Sequence, residues 1–255
     1  MLARWVCLAG AVLAFAAPAS AAGGTKVVAN GACVVIGGIR TQSGTPAAAW
    51  DMWQEIFLTS SPTWLAAHTH HGAECVMNVY GVTSWWFAHA GDAPSAPPTI
   101  VPLTFGKTAY TAQGSVHTAG DAGPRMQAYL GIHLLEQGSL FNYPVTDPSA
   151  PPVVKTNPIS IFKNDMPNQV PSKGTLTIAN QMIEFTPGGT LAIPASPALG
   201  YYTVVGGEAR IAMGGAPELM LPGKTYIVGR GVAATIRAAL PTSLVATELI
   251  PGIHR

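Results

Sequence analysis

His68-Thr69-His70-His71-Gly72-Ala73-Glu74 is the stretch that decides how this chain of 255 residues is interpreted. Residues two apart in a β-strand point to the same face, so the side chains of His68 and His70 are expected to enter one interior. The next three residues can turn the chain, and Glu74 then opens a second strand on the same inward side. Two imidazoles and a carboxylate that converge in this way predict a site for a divalent metal ion. An inward carboxylate without a partner would be costly, and a metal ion removes that cost.

A second stretch, Gly114-Ser115-Val116-His117, offers a fourth ligand. Gly114 permits a tight turn, and His117 then begins a strand that can face the first two histidines across a barrel. Three neutral imidazoles and one carboxylate would leave a divalent ion with a net positive charge and with coordination positions open to water, substrate or dioxygen. The predicted metal ligands are therefore His68, His70, Glu74 and His117.

The first stretch resembles the first motif of the cupin superfamily, which reads G-x5-H-x-H-x(3,4)-E-x6-G. The positions that match it at the correct spacings are His68, His70, Glu74 and Gly81. Pro62 stands in place of the leading glycine, a substitution that a turn tolerates. The resemblance implies an all-β jelly-roll barrel, also called a double-stranded β-helix, with the metal site in its interior.

The second stretch resembles the second cupin motif, G-x5-P-x-G-x2-H-x3-N. Gly106, Gly114 and His117 match it, whereas Ala112 and Asp121 stand where proline and asparagine are usual. These departures fall on turn positions and leave the ligand position intact. Because two spaced motifs agree, the chain is identified as a member of the cupin superfamily over much of its first half.

The second half of the chain repeats the first in a degenerate form. Phe105-Gly106-Lys107-Thr108 recurs as Pro222-Gly223-Lys224-Thr225, and a further alignment sets Gly81 against Gly207. Two aligned blocks in the same order favour duplication over chance similarity between glycine-rich turns. We therefore expect a bicupin, with two cupin barrels in one chain and one metal ion, held by the first barrel. Opposite the four predicted ligands the second half has Pro194, Ser196, Gly200 and Ala234.

The composition agrees with an all-β chain and has no basic run of the kind that binds polyanions. Hydrophobic residues make up 48% and charged residues 10%, while 28 glycines and 22 prolines suit short strands joined by tight turns. Period-two alternation predicts strands over 49–59, where Trp53, Glu55 and Phe57 share one face, and over 126–134. The net charge is +1 and no basic run is visible, so nothing indicates binding to nucleic acid or anionic lipid.

The first 21 residues read as a signal peptide. Arg4 gives a small positive region, residues 6–17 are apolar, and Ala19-Ser20-Ala21 suits cleavage. A membrane anchor is the alternative, but the apolar run is shorter than the roughly 20 residues that a spanning helix needs. We therefore expect a periplasmic or secreted protein that has no membrane contact after cleavage and acquires its metal ion outside the cytoplasm.

Beyond the signal peptide we expect two domains and a connection between them. Residues 22–142 are the predicted metal-binding cupin domain, and residues 174–255 the degenerate one. Residues 143–173 are rich in proline and read as an extended linker. Two cysteines, Cys33 and Cys75, remain after cleavage. In an oxidising compartment they can form a disulfide, and two buried free thiols are the alternative.

Four further side chains are candidates for the substrate pocket. Asn78 and Tyr80 are expected to share the inward side of their strand with Glu74. Trp85 and Trp86 can wall the pocket, with core packing as the alternative for both. The histidines without a motif partner are interpreted as surface residues or as residues behind the ligands: His71, His89, His133 and His254.

The resemblance leaves several functions open. Cupins with three histidines and one glutamate include dioxygenases, oxalate-degrading enzymes, isomerases, lyases and metal-dependent binding proteins. The spacing of the first motif is similar to that of bacterial oxalate decarboxylases, which have an arginine shortly before the first histidine. Here Leu65, Ala66 and Ala67 occupy that approach, so a diacid would find no guanidinium.

Our leading interpretation is a metal-dependent oxidoreductase, a dioxygenase similar in type to quercetinase, which acts with dioxygen on a small, poorly charged or aromatic substrate. Glu74 would serve as catalytic base as well as ligand. For an exported protein we expect copper or manganese first, then iron, nickel or zinc. The alternatives are a non-catalytic metal- or ligand-binding protein of the cell envelope and a redox-neutral lyase or isomerase. A homo-oligomer is compatible with all three.

Overall fold

The computed structural model describes residues 24–36, 49–59, 63–89, 96–121, 127–153, 160–167 and 174–252. This part of the chain consists of strands and loops, which confirms the all-β prediction. Within it, no helix is long and apolar enough to span a membrane. The strands are β1 (Thr25–Ile36), β2 (Ala49–Thr59), β3 (Thr63–Trp64), β4 (His68–Thr69), β5 (Gly72–Tyr80), β6 (Thr83–Phe87), β7 (Thr99–Leu103), β8 (Thr108–Thr111), β9 (His117–Asp121), β10 (Gln127–Glu136), β11 (Tyr143–Pro144), β12 (Ser160–Pro167), β13 (Thr175–Phe185), β14 (Thr190–Ile193), β15 (Leu199–Gly206), β16 (Ala209–Ala212), β17 (Glu218–Met220), β18 (Thr225–Val228), β19 (Ala234–Ala238) and β20 (Thr242–Pro251).

The strands form two halves, each built from a larger, five-stranded sheet and a second sheet that is smaller because its strands contain fewer residues; this smaller sheet has six short strands in the first half and four in the second. In the first half the larger sheet has the order β12-β2-β10-β5-β8, and the smaller has the order β11-β4-β9-β6-β7 with β3 paired to β9. In the second half the orders are β1-β13-β20-β15-β18 and β14-β19-β16-β17. In each half, buried apolar side chains from both sheets fill the space between them. Facing antiparallel sheets of this kind are jelly-roll barrels, so the prediction of two barrels is confirmed.

The largest hydrophobic core lies between the two five-stranded sheets rather than inside a barrel. Buried side chains that it draws from both halves include Trp50, Met52, Leu134, Ile178, Tyr201 and Leu249. A buried polar contact crosses the same interface. Gln54 Nε2 donates to Thr247 Oγ1 at 3.0 Å, and Thr203 Oγ1 donates to Gln54 Oε1. Apolar burial and a satisfied amide thus hold the two barrels together.

Strand β5 shows how alternation distributes side chains between two buried environments. Ala73, Cys75 and Met77 point into the core between the sheets. Val76 packs inside the first barrel, and Glu74 faces the same way, towards the histidines. Because both faces of the strand are covered, most of it is inaccessible to solvent. The alternation that places the carboxylate in the barrel therefore places the cysteine in the interface.

Two strands are exchanged between the halves. β1 pairs with β13 and forms an edge of the second barrel's larger sheet, while β12 pairs with β2 and forms an edge of the first barrel's. The predicted division of the chain is corrected here: β1 does not lie with the rest of 22–142, and 143–173 contains a strand of the first barrel. The alternation of apolar and polar residues predicts which side chains of an edge strand face inward. It does not predict which sheet the backbone of that strand pairs with. The predicted signal peptide, 1–21, lies outside the described residues.

Cys33 and Cys75 are joined by a disulfide, with their Cα atoms 5.9 Å apart. Of the two alternatives that the sequence left open, the structure has the bridge. Cys33 lies on the exchanged strand β1 and Cys75 on β5, and both are buried in the core between the larger sheets. The bridge therefore links the sheet of the second barrel to that of the first.

The internal repeat is visible in the turns. Gly106 and Gly223 both have a positive φ, 73° and 79°, which glycine adopts at little cost. Each donates its amide proton to a carbonyl in the equivalent strand, β5 or β15, at 2.8 and 2.9 Å. Gly114 and Gly231, which the alignment also pairs, have φ values of 75° and 73°. The two barrels therefore share turn geometry at the positions that the sequence repeat predicts.

Candidate metal centre

Three of the predicted ligands converge inside the first barrel. His68 on β4 lies directly opposite His117 on β9, and His70 follows two residues after His68. The ring centroids are 4.6 Å apart for His68 and His117, 4.9 Å for His68 and His70, and 5.0 Å for His70 and His117. All three side chains are buried. The structure therefore brings these residues together in the way that the spacing predicts.

Each of these imidazoles is fixed by a hydrogen bond from Nδ1 to a backbone carbonyl. The acceptors are the carbonyl of Ala66 at 2.7 Å for His68, of Phe141 at 2.6 Å for His70, and of Ser115 at 2.9 Å for His117. A carbonyl oxygen only accepts, so in a neutral ring Nδ1 carries the proton and Nε2 keeps a lone pair. Nε2 of His70 and of His117 is buried without a hydrogen-bond partner. The carbonyls thus hold the tautomer that a metal ligand requires.

The carboxylate of Glu74 adds a fourth side chain that can bind a metal ion. Its Oε2 atom lies 2.9 Å from Nε2 of His117 and 3.6 Å from Nε2 of His70, and it has no hydrogen-bond partner. An unpaired carboxylate oxygen at this depth is costly, and a divalent cation beside it would remove the cost. The buried imidazole nitrogens and the carboxylate oxygen therefore fit a metal ion. They form two overlapping groups able to hold one, His68-His70-His117 and His70-Glu74-His133.

The electrostatics of the site favour neutral imidazole and ionised carboxylate. Burial, and then the neighbouring His117 and His70, lower the pKa of His68 to about 3. Burial alone would raise the pKa of Glu74, but the imidazoles of His133 and His117 beside it hold that pKa well below its usual range. Both protonation states are those that a metal ion requires of its ligands.

Two residues outside the motifs, His133 and Glu55, also belong to this cluster. Nε2 of His133 lies 3.2 Å from Oε2 of Glu55 and 3.5 Å from Oε1 of Glu74. Its ring centroid is 4.8 Å from that of His70, and the residue is only 1% exposed, so it is not a surface residue. The signal was present in the sequence, because alternation in β2 and β10 sends both side chains into the barrel. Of the two interpretations that the sequence left open for His133, a surface residue or a residue behind the ligands, the structure has the second, whereas the sequence assigned no role to Glu55.

Aromatic side chains surround these polar groups. The ring of Trp85 stacks at 5.7 Å from that of His117, and the ring of Phe141 lies 4.5 Å from that of His133. Further aromatic residues that pack on these rings or on one another are Trp53, Phe57, Phe87 and Tyr129. Among the described side chains no lysine or arginine is buried. The interior therefore combines imidazoles and carboxylates with aromatic walls.

The two tryptophans predicted for the pocket point to opposite faces of β6. Trp85 packs on His117 and on Tyr129, inside the barrel. Trp86 is buried in a separate cluster with Trp64, away from the histidines. Adjacent residues of a strand face opposite sides, so only one of the two could reach the site. The pocket assignment of Trp86 is therefore corrected to core packing.

Asn78 and Tyr80 do not line the site either. Asn78 is buried, but its Nδ2 donates to the carbonyl of Gly81 at 2.7 Å and its Oδ1 accepts from Thr83 at 2.8 Å. Its amide thus closes the turn between β5 and β6. Tyr80 is 61% exposed, because the register of β5 against β10 shifts just before it. Alternation carried past a β-bulge assigns the wrong face, which explains the error.

The second barrel has a different interior at the equivalent position. Gly200 lies opposite Glu248 in the pairing of β15 with β20, as Glu74 lies opposite His133 in that of β5 with β10. Tyr202 donates its hydroxyl to Glu248 Oε1 at 2.8 Å. A Cβ atom on Gly200 would lie 2.6 Å from a ring carbon of Tyr202. The tyrosine ring thus occupies the space in which the first barrel holds its carboxylate.

Comparisons with known proteins bear on the fold. No protein-family model matches the sequence, and no curated protein is significantly similar to it. Solved structures match at low identity. Oxalate decarboxylase of Lactobacillus farciminis is 14% identical with a TM-score of 0.54, over 89% of this chain and 86% of that one. Bacillus subtilis oxalate decarboxylase, which has Mn(II) centres, is 14% identical with a TM-score of 0.53, over 91% and 78%. Vicilin of tomato, Solanum lycopersicum, is 9% identical with a TM-score of 0.51, over 78% and 75%.

The chain therefore has the bicupin fold that its motifs implied. Oxalate decarboxylases and a vicilin share this architecture with it, so the fold by itself selects no activity. The activity of this chain has to be inferred from the side chains inside its barrels. There the first barrel has donor groups able to hold a metal ion, and among the described residues of the second barrel no such group occurs.

Proposed function

We propose that this protein is an exported, metal-dependent cupin oxidoreductase, a dioxygenase that acts on a small aromatic or otherwise poorly charged substrate. One divalent ion would be held by His68, His70, Glu74 and His117. The observation that carries the proposal is the set of three buried imidazoles, each locked with Nδ1 on a carbonyl, beside an unpaired carboxylate oxygen.

The chain's own residues would orient the reaction. When bound, the ion would supply a Lewis acid and, if it is redox-active, a path for electrons to dioxygen. Glu74 is ionised at neutral pH and is the carboxylate placed to accept a proton from a hydroxylated substrate. Tyr129 keeps its hydroxyl proton, because burial, and then the nearby Glu55 and Glu74, raise its pKa well above the ordinary value. The aromatic rings would exclude water from the substrate.

The interior favours an aromatic or uncharged substrate over a dicarboxylate. A diacid needs fixed cations, and bidentate arginine is the usual partner of a carboxylate in proteins. No lysine or arginine among the described side chains is buried. The approach to His68 has Leu65 and Ala66, and Trp85 stands over His117. Flat apolar rings can pack on such walls, so we expect phenols and related compounds rather than oxalate.

The metal and the compartment belong to the same proposal. A three-imidazole site favours copper on intrinsic affinity, and manganese is the next candidate in an exported protein, before iron, nickel or zinc. The disulfide between Cys33 and Cys75 supports folding in an oxidising compartment, the periplasm or the medium. The expected partners are the small-molecule substrate and dioxygen, without nucleic acid.

The test is oxygen consumption by protein loaded in turn with copper, manganese and iron, against a panel of flavonols, catechols and simple phenols. We expect uptake with at least one metal and one substrate class, and none with the His117→Ala variant. The exposed residue His89 supplies the control, since His89→Ala should leave uptake unchanged.

The same assay separates the alternatives. Turnover of a substrate without oxygen uptake would indicate a redox-neutral lyase or isomerase. Tight binding of a small molecule with no turnover under either condition would indicate a binding protein. Either result would reject the dioxygenase.

A further inference from the structure

We propose that His133, anchored by Glu55, is a positioning residue that holds the outer oxygen of Glu74, so that Glu74 offers only its other oxygen to the metal ion. This inference rests on the metal site of the proposed function and adds two residues to it. Neither residue belongs to the motifs that identify the ligands.

The two carboxylate oxygens of Glu74 face different side chains. Oε2 lies towards the ligand imidazoles, 2.9 Å from Nε2 of His117 and 3.6 Å from Nε2 of His70. Oε1 lies towards His133, 3.5 Å from its Nε2. The same Nε2 atom is 3.2 Å from Oε2 of Glu55, within hydrogen-bond distance. The carboxylate of Glu74 is thus bracketed, with the metal ligands on one side and His133 on the other.

Burial makes this arrangement specific rather than incidental. Glu55 is 4% exposed and Glu74 2%, so both carboxylates are buried in the first barrel. Such groups are very costly to bury unless a donor or cation faces them. Among the described side chains no lysine or arginine is buried, and His133 Nε2 is within 4 Å of both carboxylates. His133 is therefore the described side chain that links Glu55 to Glu74.

The backbone beside this contact is shaped to admit it. Gly131 lies opposite Glu55 in the pairing of β10 with β2. A Cβ atom there would lie 3.0 Å from Nε2 of His133 and 3.3 Å from Oε2 of Glu55. Either group would have to shift to make room. Glycine at this position thus leaves the space in which the imidazole and the carboxylate meet.

The competing role for His133 is that of a fifth metal ligand. His70, Glu74 and His133 do form a group able to hold a metal ion. Nε2 of His133 faces Oε2 of Glu55 at 3.2 Å and Oε1 of Glu74 at 3.5 Å, however, and because carboxylate oxygens accept hydrogen bonds, this nitrogen carries a proton and has no lone pair for a metal ion while these contacts stand. We therefore assign it to orientation of Glu74. Partners behind metal ligands typically change metal affinity by about 10- to 100-fold when removed.

The experiment compares wild type with His133→Leu, His133→Gln and Glu55→Gln, each loaded with Cu(II). Metal content, metal affinity and the electron spin echo modulation of the remote imidazole nitrogens are measured. We expect one ion per chain and three coupled imidazoles in all four proteins. His133→Leu should change the g and hyperfine values and weaken metal binding about 10-fold or more. His133→Gln keeps a donor and should recover part of both changes, and His89→Gln serves as control.

The outcomes separate this inference from the function on which it rests. Unchanged spectra and affinity in His133→Leu would overturn the positioning role and leave the metal site intact. A drop from four coupled imidazoles to three would overturn it in favour of ligation. A wild-type protein that binds no metal would overturn both. Gly131→Ala gives a second line of evidence, since it leaves every ligand in place and should shift the spectrum in the same direction as Glu55→Gln.

Discussion

The two barrels of this chain have equivalent five-stranded sheets and equivalent glycine turns but different interiors. At one position of the register the first barrel places Glu74 opposite His133, and the second places Gly200 opposite Glu248. In the first barrel, Nε2 of His70, Nε2 of His117 and Oε2 of Glu74, all able to bind a metal ion, face one another without hydrogen-bond partners. In the second, Tyr202 fills the space and satisfies Glu248 directly. The cupin barrel therefore forms without these metal-binding side chains, whereas the candidate metal centre depends on the strands of the barrel that position them.

The difference teaches which residues serve architecture and which serve chemistry. Turn glycines with positive φ recur in both halves, at Gly106 and Gly223 and at Gly114 and Gly231. They are required wherever the barrel is built. The described part of the second barrel, residues 174–252, contains no histidine. The second barrel packs its interior without histidines. The buried histidines of the first barrel are therefore not required for packing, and they indicate a function.

The largest effect should come from removing a ligand in the first barrel. His117→Ala is expected to weaken metal binding by at least about 100-fold, because it removes both a donor and one wall of the site. Metal analysis after dialysis checks this. His89→Ala, on the exposed surface, should retain the ion. Equal metal content in the two variants would mean that the ion sits elsewhere.

The disulfide should account for the next largest effect. It closes a sequence separation of 42 residues, for which the chain-entropy estimate is about 4 kcal/mol. Replacing Cys33 and Cys75 together by serine should lower the free energy of unfolding by about 3 kcal/mol, measured in urea. Hydrogen exchange should rise first in β1, the strand that the bridge ties across the interface. A loss below about 1 kcal/mol would show that the bridge does little for the association of the barrels.

A substitution in the second barrel tests why it has glycine, and no carboxylate, at the position equivalent to Glu74. Gly200→Glu places a side chain against the ring of Tyr202, where a Cβ would already lie at 2.6 Å. Overpacking of this kind costs about 1–3 kcal/mol. Adding Tyr202→Val, which copies Val76 of the first barrel, should relieve the clash. Urea unfolding of the two single variants and the double variant gives the coupling, and simple additivity would contradict the proposed crowding.

Acid should destabilise the metal-free protein through the first barrel. The pKa of His68 is about 3 in the folded state, against 6.5 as its ordinary value. Because the unfolded state binds the proton more readily between these values, stability is full above about pH 6.5 and falls towards pH 3, by about 1.4 kcal/mol per pH unit. Glu74 adds to the loss at pH values below 4.5, its ordinary pKa, since the imidazoles beside it hold its pKa in the folded state well below that value. Unfolding free energies of wild type and His68→Gln between pH 7 and 5 check this, and equal slopes would contradict it.

The sequence predicted the ligand set more securely than its surroundings. His68 and His70 two residues apart, with Glu74 after a turn, leave little freedom once the strands form, and the structure brings them together. The motif spacing also predicted the bicupin fold. In these cases, local geometry decides the outcome.

What the sequence could not supply depends on contacts between distant strands. Strands in the middle of the larger sheets, such as β5 and β10, are buried on both faces, so hydrophobicity does not tell the barrel interior from the interface. Trp86 and Tyr80 were assigned to the wrong environment, because Trp86 packs on the other face of its strand and a β-bulge precedes Tyr80. The exchange of β1 and β12 depends on which sheet edge is free, a property of the assembled barrels. The pair of His133 and Glu55 was visible as two inward positions, but only the register of β2, β5 and β10 brings them to Glu74.

The contrast between the barrels is tested most directly by the metal content of protein isolated from its native compartment and measured by mass spectrometry with a calibrated protein concentration. We predict one tightly bound divalent ion per chain in wild type and none in the His68→Ala/His117→Ala variant, with the fold retained in both. Two ions per chain, or one ion that survives the double substitution, would contradict the assignment of the site to the first barrel alone.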